Sequence, residues 1–202
     1  KELAKKQPIK KTKESPSQKD STELLQKKLN EFQWDDPSIW KVGVHRNCEV
    51  VMKRGQNRSF EYSKKGIISH HVYAAAFNFA FDVVRTELTE KISRELLRAE
   101  YRATILAAWE NSILFPDYPG SKKLSLTLLG GGVFQNPPNI ICDSIRENIE
   151  LIKESGLDVY ITCFSDEIFR QVMGYLGDLP DETGGSVIDA DDDDDCKDLI
   201  GE

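Results

Sequence analysis

Apolar residues repeat along this chain at two spacings, and the change from one to the other separates helices from strands. Between residues 86 and 111, Leu88, Ile92, Leu96, Leu97, Tyr101, Ile105 and Trp109 recur about once per turn, with charge on the remaining positions. That period predicts an amphipathic helix. Residues 124–129 (LSLTLL) and 159–164 (VYITCF) are short apolar runs that predict buried strands. Between them Ile141, Ile145, Ile149 and Ile152 return every three or four residues. This predicts a helix capped by Asn136, opened by Pro137 and ended by Gly156. A strand, a helix and a strand in this order close as a parallel pair joined by a crossover.

The flanking segments are less regular. Residues 40–52 (WKVGVHRNCEVVM) read as a bent strand, residues 54–57 as a turn, and residues 60–62 as the return of a hairpin. Residues 67–75 read as a further strand, although their alanines also suit a helix start. Asp20 and Glu23 form a capping pair for a short helix carrying Leu24, Leu25, Leu29 and Phe32, which Asp35-Asp36-Pro37 breaks. Ser165 is placed to cap a last helix whose Ile168, Phe169, Val172, Met173 and Leu176 face inward, ending at Gly177. Alternating helices and strands predict an α/β class, with helices covering a mixed, largely parallel sheet.

Charge marks the ends. Of the net −7 over 202 residues, residues 1–20 contribute +4 and residues 178–202 contribute −10, leaving −1 for the centre. Residues 1–19 therefore read as a disordered basic arm, 20–177 as the folded domain, and 178–202 as a mobile acidic tail. The run from Asp191 to Asp195 lacks the glycine and spaced glutamate of a calcium loop. The net acidity argues only against a general DNA-binding surface, and no apolar run approaches the ~20 residues of a membrane span. Cys48, Cys142, Cys163 and Cys196 are scattered without a CxxC pair, which predicts free thiols and a reducing, cytoplasmic setting. No secretory leader pattern opens the sequence, and the first residue, Lys1, leads us to expect a fragment or processed product.

The candidate chemistry lies between the two apolar runs. Gly130, Gly131 and Gly132 join the carboxyl end of a strand to the start of a helix, where unpaired N–H groups and the helix dipole favour an anion. Glycines also let a ligand approach the main chain. The loop has neither Walker nor GxGxxG spacing, and a tight turn that binds nothing is the alternative. His45, His70 and His71 lack metal-site spacing. No Ser–His–Asp set can be assembled, and nothing basic is demonstrably beside Cys48.

The order AEYRATILAA helix, strand, LLGGGVFQNP loop, amphipathic helix and VYITCFSDEIF is similar to the carboxyl half of a macrodomain. The GGGVFQNP loop, the VHRNCEV stretch and HHVYAAAF look closest to the macrodomain-like ADP-ribosylhydrolases among effectors of intracellular bacteria. For such an effector, delivery into a host cell is expected. The resemblance implies a three-layer α/β/α sandwich, or its carboxyl part, and ADP-ribose as ligand, free or on a modified protein. No cofactor is implied. The positions matching the family's diphosphate loop are Gly130, Gly131, Gly132, Val133, Phe134, Gln135 and Asn136. The aromatic that borders adenine corresponds to Phe164, beside Ser165; an ordinary core aromatic is the other reading of Phe164. The family's Gly-Asp-Ile strand end and Asn-Ala-Ala-Asn loop have no counterpart, nor do the paired glutamates of poly-ADP-ribose glycohydrolases. A missing amino half would leave an open sheet edge for a second segment or chain.

Releasing ADP-ribose from a side chain requires a positioned water and a carboxylate or phosphate to take its proton. Glu49, alternating with apolar neighbours, is the candidate catalytic carboxylate, and Asp166 suits a helix start. Three functions remain open: a hydrolase, a reader of ADP-ribose, and a protein-interaction module on the same fold.

Overall fold

The structure is a computed structural model that describes residues 16–34, 36, 38–54, 60–62, 66–80, 85–118 and 120–189. It opens with α1 (Pro16–Glu31), followed by β1 (Gly43–Glu49), β2 (Met52–Arg54), β3 (Phe60–Tyr62) and β4 (Ile68–Tyr73). Next come α2 (Glu87–Leu114), β5 (Lys123–Thr127), α3 (Pro138–Arg146), α4 (Ile149–Ser155) and β6 (Asp158–Cys163). The last elements are α5 (Asp166–Leu176), α6 (Leu179–Thr183) and β7 (Gly185–Asp189).

The strands form three groups. β1 pairs with β4 and β2 with β3, both antiparallel, while β5, β6 and β7 make a parallel sheet in that order. The fold is thus mixed α/β. The parallel pairing follows from the crossovers, since α3 with α4 returns the chain from β5 to β6 and α5 with α6 from β6 to β7. Leu124, Leu126, Val159, Ile161 and Val187 bury one face against Leu97, Tyr101 and Ile105 of α2, Ile141 and Ile145 of α3, and Val172 and Leu176 of α5. Burying such side chains contributes about 1.5–3 kcal/mol each.

α2 starts as its sequence demands. Thr86 is the N-cap, its hydroxyl accepts from the Thr89 N–H at 3.2 Å, and the Thr89 hydroxyl accepts from the Thr86 N–H at 2.8 Å. Gly156 closes α4 in the left-handed conformation, at φ 62°. Ser165 caps α5 as expected, accepting from the Ile168 N–H at 3.4 Å.

Four sequence expectations need correction. α1 begins at Pro16, four residues before the proposed Asp20 cap, so the basic arm does not extend to residue 19. Residues 1–15 lie outside the described residues. The single helix expected up to Gly156 is divided, because Glu147 and Asn148 turn the chain between α3 and α4. Order also continues past Gly177, where Leu179, Val187 and Ile188 are buried. The two apolar residues of Gly185–Asp189 are too few for a local signal, and pairing with β6 makes them a strand. The expectation for residues 190–202 lies outside the described residues. The fourth correction, at Asn136, belongs to the glycine loop.

Candidate functional site

The 130–136 loop is held in place from below. The Tyr101 hydroxyl, on α2, donates to the Thr127 carbonyl at 2.9 Å and accepts from the Leu129 N–H at 2.9 Å. Burial raises the phenol well above its ordinary range, so it stays protonated as a donor. Gly130 is at φ +74°, and a Cβ there would lie 2.4 Å from the Ala76 Cβ. Only glycine fits so close an approach. Three amides then close the bend on itself: Gly131 to the Leu128 carbonyl at 2.9 Å, Gln135 to Gly132 at 3.0 Å, and Asn136 to Gly130 at 3.0 Å.

Asn136 is neither a helix cap nor ligand-facing. It is 2% exposed, and its amide nitrogen donates to the Phe77 carbonyl at 2.6 Å and to the Gly130 carbonyl at 3.2 Å. Its Oδ1 accepts from the Ser93 hydroxyl at 2.6 Å. Pro137 takes the cap position and Pro138 opens α3. With prolines at both positions, the helix start lacks two main-chain donors.

What remains open is the outer side of the bend. The amides of Gly132, Val133 and Phe134 have no partner among the described residues. Gly131, Gly132, Val133 and Gln135 are exposed, and a Cβ on Gly132 would meet nothing within 4 Å. Phe134 packs its ring against the core while its carbonyl accepts from the Phe79 N–H at 2.9 Å. Gln135 is held at φ 56°.

Arg85 stands beside this opening and was missed in the sequence, where a lone arginine before a helix carries no spacing signal. Its guanidinium donates to the Gln135 carbonyl at 3.3 Å, lies 5.0 Å from the centre of the Phe79 ring and pairs with Glu90 at 3.4 Å. The Glu90-paired Arg85 guanidinium thus stands next to a bend whose Gly132, Val133 and Phe134 amides have no partner among the described residues.

Phe164 follows the last residue of β6, on the edge from which the loop leaves β5, and is 67% exposed. It is not a core residue. Ser165 gives its hydroxyl to the α5 cap, leaving the Phe164 ring as the more available contact. Asp166 is exposed in the first turn of α5, in keeping with a helix-start role.

Glu49 is not brought to the loop. It pairs with Ile68, whereas the strand that leads to Ala76 and Gly130 departs from Tyr73, five residues along β4. At about 3.3 Å per residue, that separates them by roughly 16 Å along the strand. A different carboxyl, Glu100, precedes Tyr101 on α2 and has a buried Oε2 with no partner among the described residues. Burial raises its pKa above the ordinary carboxyl value.

A raised acid keeps a proton in the native chain that the unfolded chain releases, so its contribution lowers stability as pH rises from about 4.5 through the folded pKa. Glu100→Gln removes that penalty. The melting temperature of the variant, minus that of the native chain, is expected to grow with pH across this window. A flat difference would mean a solvated carboxyl.

Among the described residues no group of three or more His, Cys, Asp or Glu is placed to hold a metal. None of their helices is long and apolar enough to cross a membrane. No family model, curated protein or solved structure matches this chain.

Proposed function

We propose that this chain is a macrodomain-like module that binds ADP-ribose, free or attached to a protein, at the 130–135 bend. The observation that carries this reading is the set of open amides at Gly132, Val133 and Phe134 with the Arg85 guanidinium at their side. Adjacent N–H donors without a partner among the described residues, with a guanidinium bonded to the same loop, suit a diphosphate. The exposed Phe164 ring offers a stacking surface for adenine. The sandwich architecture belongs to this reading too, and requires a second layer over the Ser125, Thr127 and Thr162 face of the sheet.

Calorimetry with ADP-ribose tests it. Saturable binding is expected, weakened about tenfold or more by Arg85→Ala and by Gly132→Glu, as for loss of a charge-assisted contact or addition of a repelling charge. The Gly132 substitution meets no steric obstacle, so it reports on charge. Absence of heat at millimolar ligand would leave the protein-interaction reading.

Hydrolysis of ADP-ribose from modified side chains is the second reading, favoured by the half-buried Glu100 carboxyl. Burial raises its pKa above the ordinary carboxyl value, the direction that favours a group able to hold a proton. Release from an ADP-ribosylated protein, lost in Glu100→Gln while binding persists, would support it. Binding without release by the native chain would leave a reader.

A further inference from the structure

The outer face of the β1–β4 ribbon carries two histidines that the linear sequence keeps apart. His45 and His71 are distant along the chain and show no metal spacing there. Across the ribbon they are directly opposed: the register sets Gly43 against Tyr73, Val44 against Val72 and His45 against His71. Opposed residues of an antiparallel pair share one face, with Cβ atoms about 4.5–5.5 Å apart.

Their neighbours fix which face that is. The centre of the His70 ring lies 5.9 Å from that of Phe115, the residue that closes α2. Arg46 reaches the same helix, donating to the Glu110 carboxylate at 2.6 Å and to Asn111 Oδ1 at 3.5 Å. Side chains alternate along a strand, so with His70 turned to α2, His71 points to solvent. Tyr73, two positions on, takes the same side, its ring centre 6.5 Å from that of His71. His45 follows through its register with His71. Both histidines are exposed, and neither ring has a hydrogen bond among the described residues.

A β-bulge steadies the pair. Between His45 and Cys48, β1 carries one residue more than the facing stretch of β4, and Asn47 sits there at φ 57°. A bulge of this kind pins the register of the two strands. It also sets Cys48, opposite Ser69, on the histidine face. The Cys48 thiol is engaged with the main chain, donating to the His45 carbonyl at 3.5 Å.

Two imidazoles so placed suit one transition-metal ion. Zinc lies about 2.0–2.1 Å from each imidazole nitrogen, which at a tetrahedral angle puts the two nitrogens about 3.3 Å apart. Rings rising from Cβ atoms about 5 Å apart reach that separation by leaning together. Imidazole favours zinc, nickel and copper over magnesium and calcium, which take oxygen ligands. No group of three or more His, Cys, Asp or Glu is placed to hold a metal among the described residues, so the other coordination positions fall to water.

We infer that His45 and His71 form a two-histidine seat for one divalent ion of the zinc class, which ties β1 to β4 across the outer face of the ribbon. The inference does not rest on the ADP-ribose reading, because no residue of the glycine bend takes part.

The test is NMR on the whole chain, free of any added histidine tag, with zinc ion alone as the probe. As Zn²⁺ rises to about 1 mM, the ring signals of His45 and His71 are expected to move together with one midpoint, while those of His70 stay. Mg²⁺ at the same concentration should move none of them. His45→Gln and His71→Gln each leave a single imidazole and should weaken zinc binding about tenfold or more, since the second arm of a chelate acts at high effective concentration. Cys48→Ser should leave the affinity unchanged. Both histidines are exposed, so melting temperatures near that of the native chain are expected for their variants. The inference is overturned if the two rings shift with different midpoints, if either histidine variant binds zinc as the native chain does, or if Cys48→Ser abolishes binding and so assigns the ion to the thiol.

Discussion

Gly185→Ala is expected to detach β7 and to lower the melting temperature more than alanine at Gly132 or Gly156. Gly185 lies at φ +86°, and a Cβ there would fall 2.1 Å from the Val159 carbonyl oxygen and 2.6 Å from the Val159 nitrogen. Those are backbone atoms of the central strand, so no side chain can turn aside to make room. Left-handed strain costs about 1–2 kcal/mol, and separating the strands adds to it, for a total of about 4 kcal/mol or more. For a chain of this size that is a fall of roughly 8–16 °C. Gly156→Ala is the internal control. It has positive φ but open space around the new Cβ, and should cost only the strain, about 1–2 kcal/mol. Gly132→Ala has neither problem and should be neutral. Thermal and denaturant unfolding of the three variants measures this ranking. Equal effects at 185 and 156 would mean that β7 is not paired to β6.

Asn136→Ala is expected to cost about 2–4 kcal/mol and to loosen the glycine loop. The substitution leaves the Ser93 hydroxyl and the Phe77 carbonyl without their partner in a buried site, and opens a small void. Asn136→Asp is no rescue. It keeps an acceptor for Ser93 but sets a carboxylate against two carbonyls that need a donor. Denaturant unfolding gives the stability change. Exchange at the Phe79 amide, which is bonded to Phe134, should accelerate in both variants. Unchanged exchange would show that the loop keeps its shape without this side chain.

The parts of the fold legible in the sequence were those with a long local period or a strong capping signal. α2 declared itself through seven apolar positions over 26 residues. The core of β5 and β6 was visible because Leu124 and Leu126, and then Val159, Tyr160 and Ile161, fall in short apolar runs. Gly185–Asp189 was hidden, since a short edge strand draws its definition from the strand beside it. The site divided in the same way. Three adjacent glycines marked the bend, but the sequence could not distinguish the obligatory Gly130 from the open Gly132. The inward turn of Asn136 was equally invisible, because its partners Ser93 and Phe77 are more than 40 positions away. Arg85 and Glu100 owe their places to tertiary packing around the loop and α2, so no spacing announced them.

The buried thiols carry a practical consequence. Cys142 and Cys163 are pushed up to about 12 and about 11 by burial in the core, so neither forms appreciable thiolate near neutral pH. Cys48 on β1 is only half-buried. An alkylating reagent should therefore mark the ribbon at once and reach β6 only when the core opens. The slow labelling of Cys163 becomes a clock for the breathing of the parallel sheet, read on the unmodified chain without denaturant.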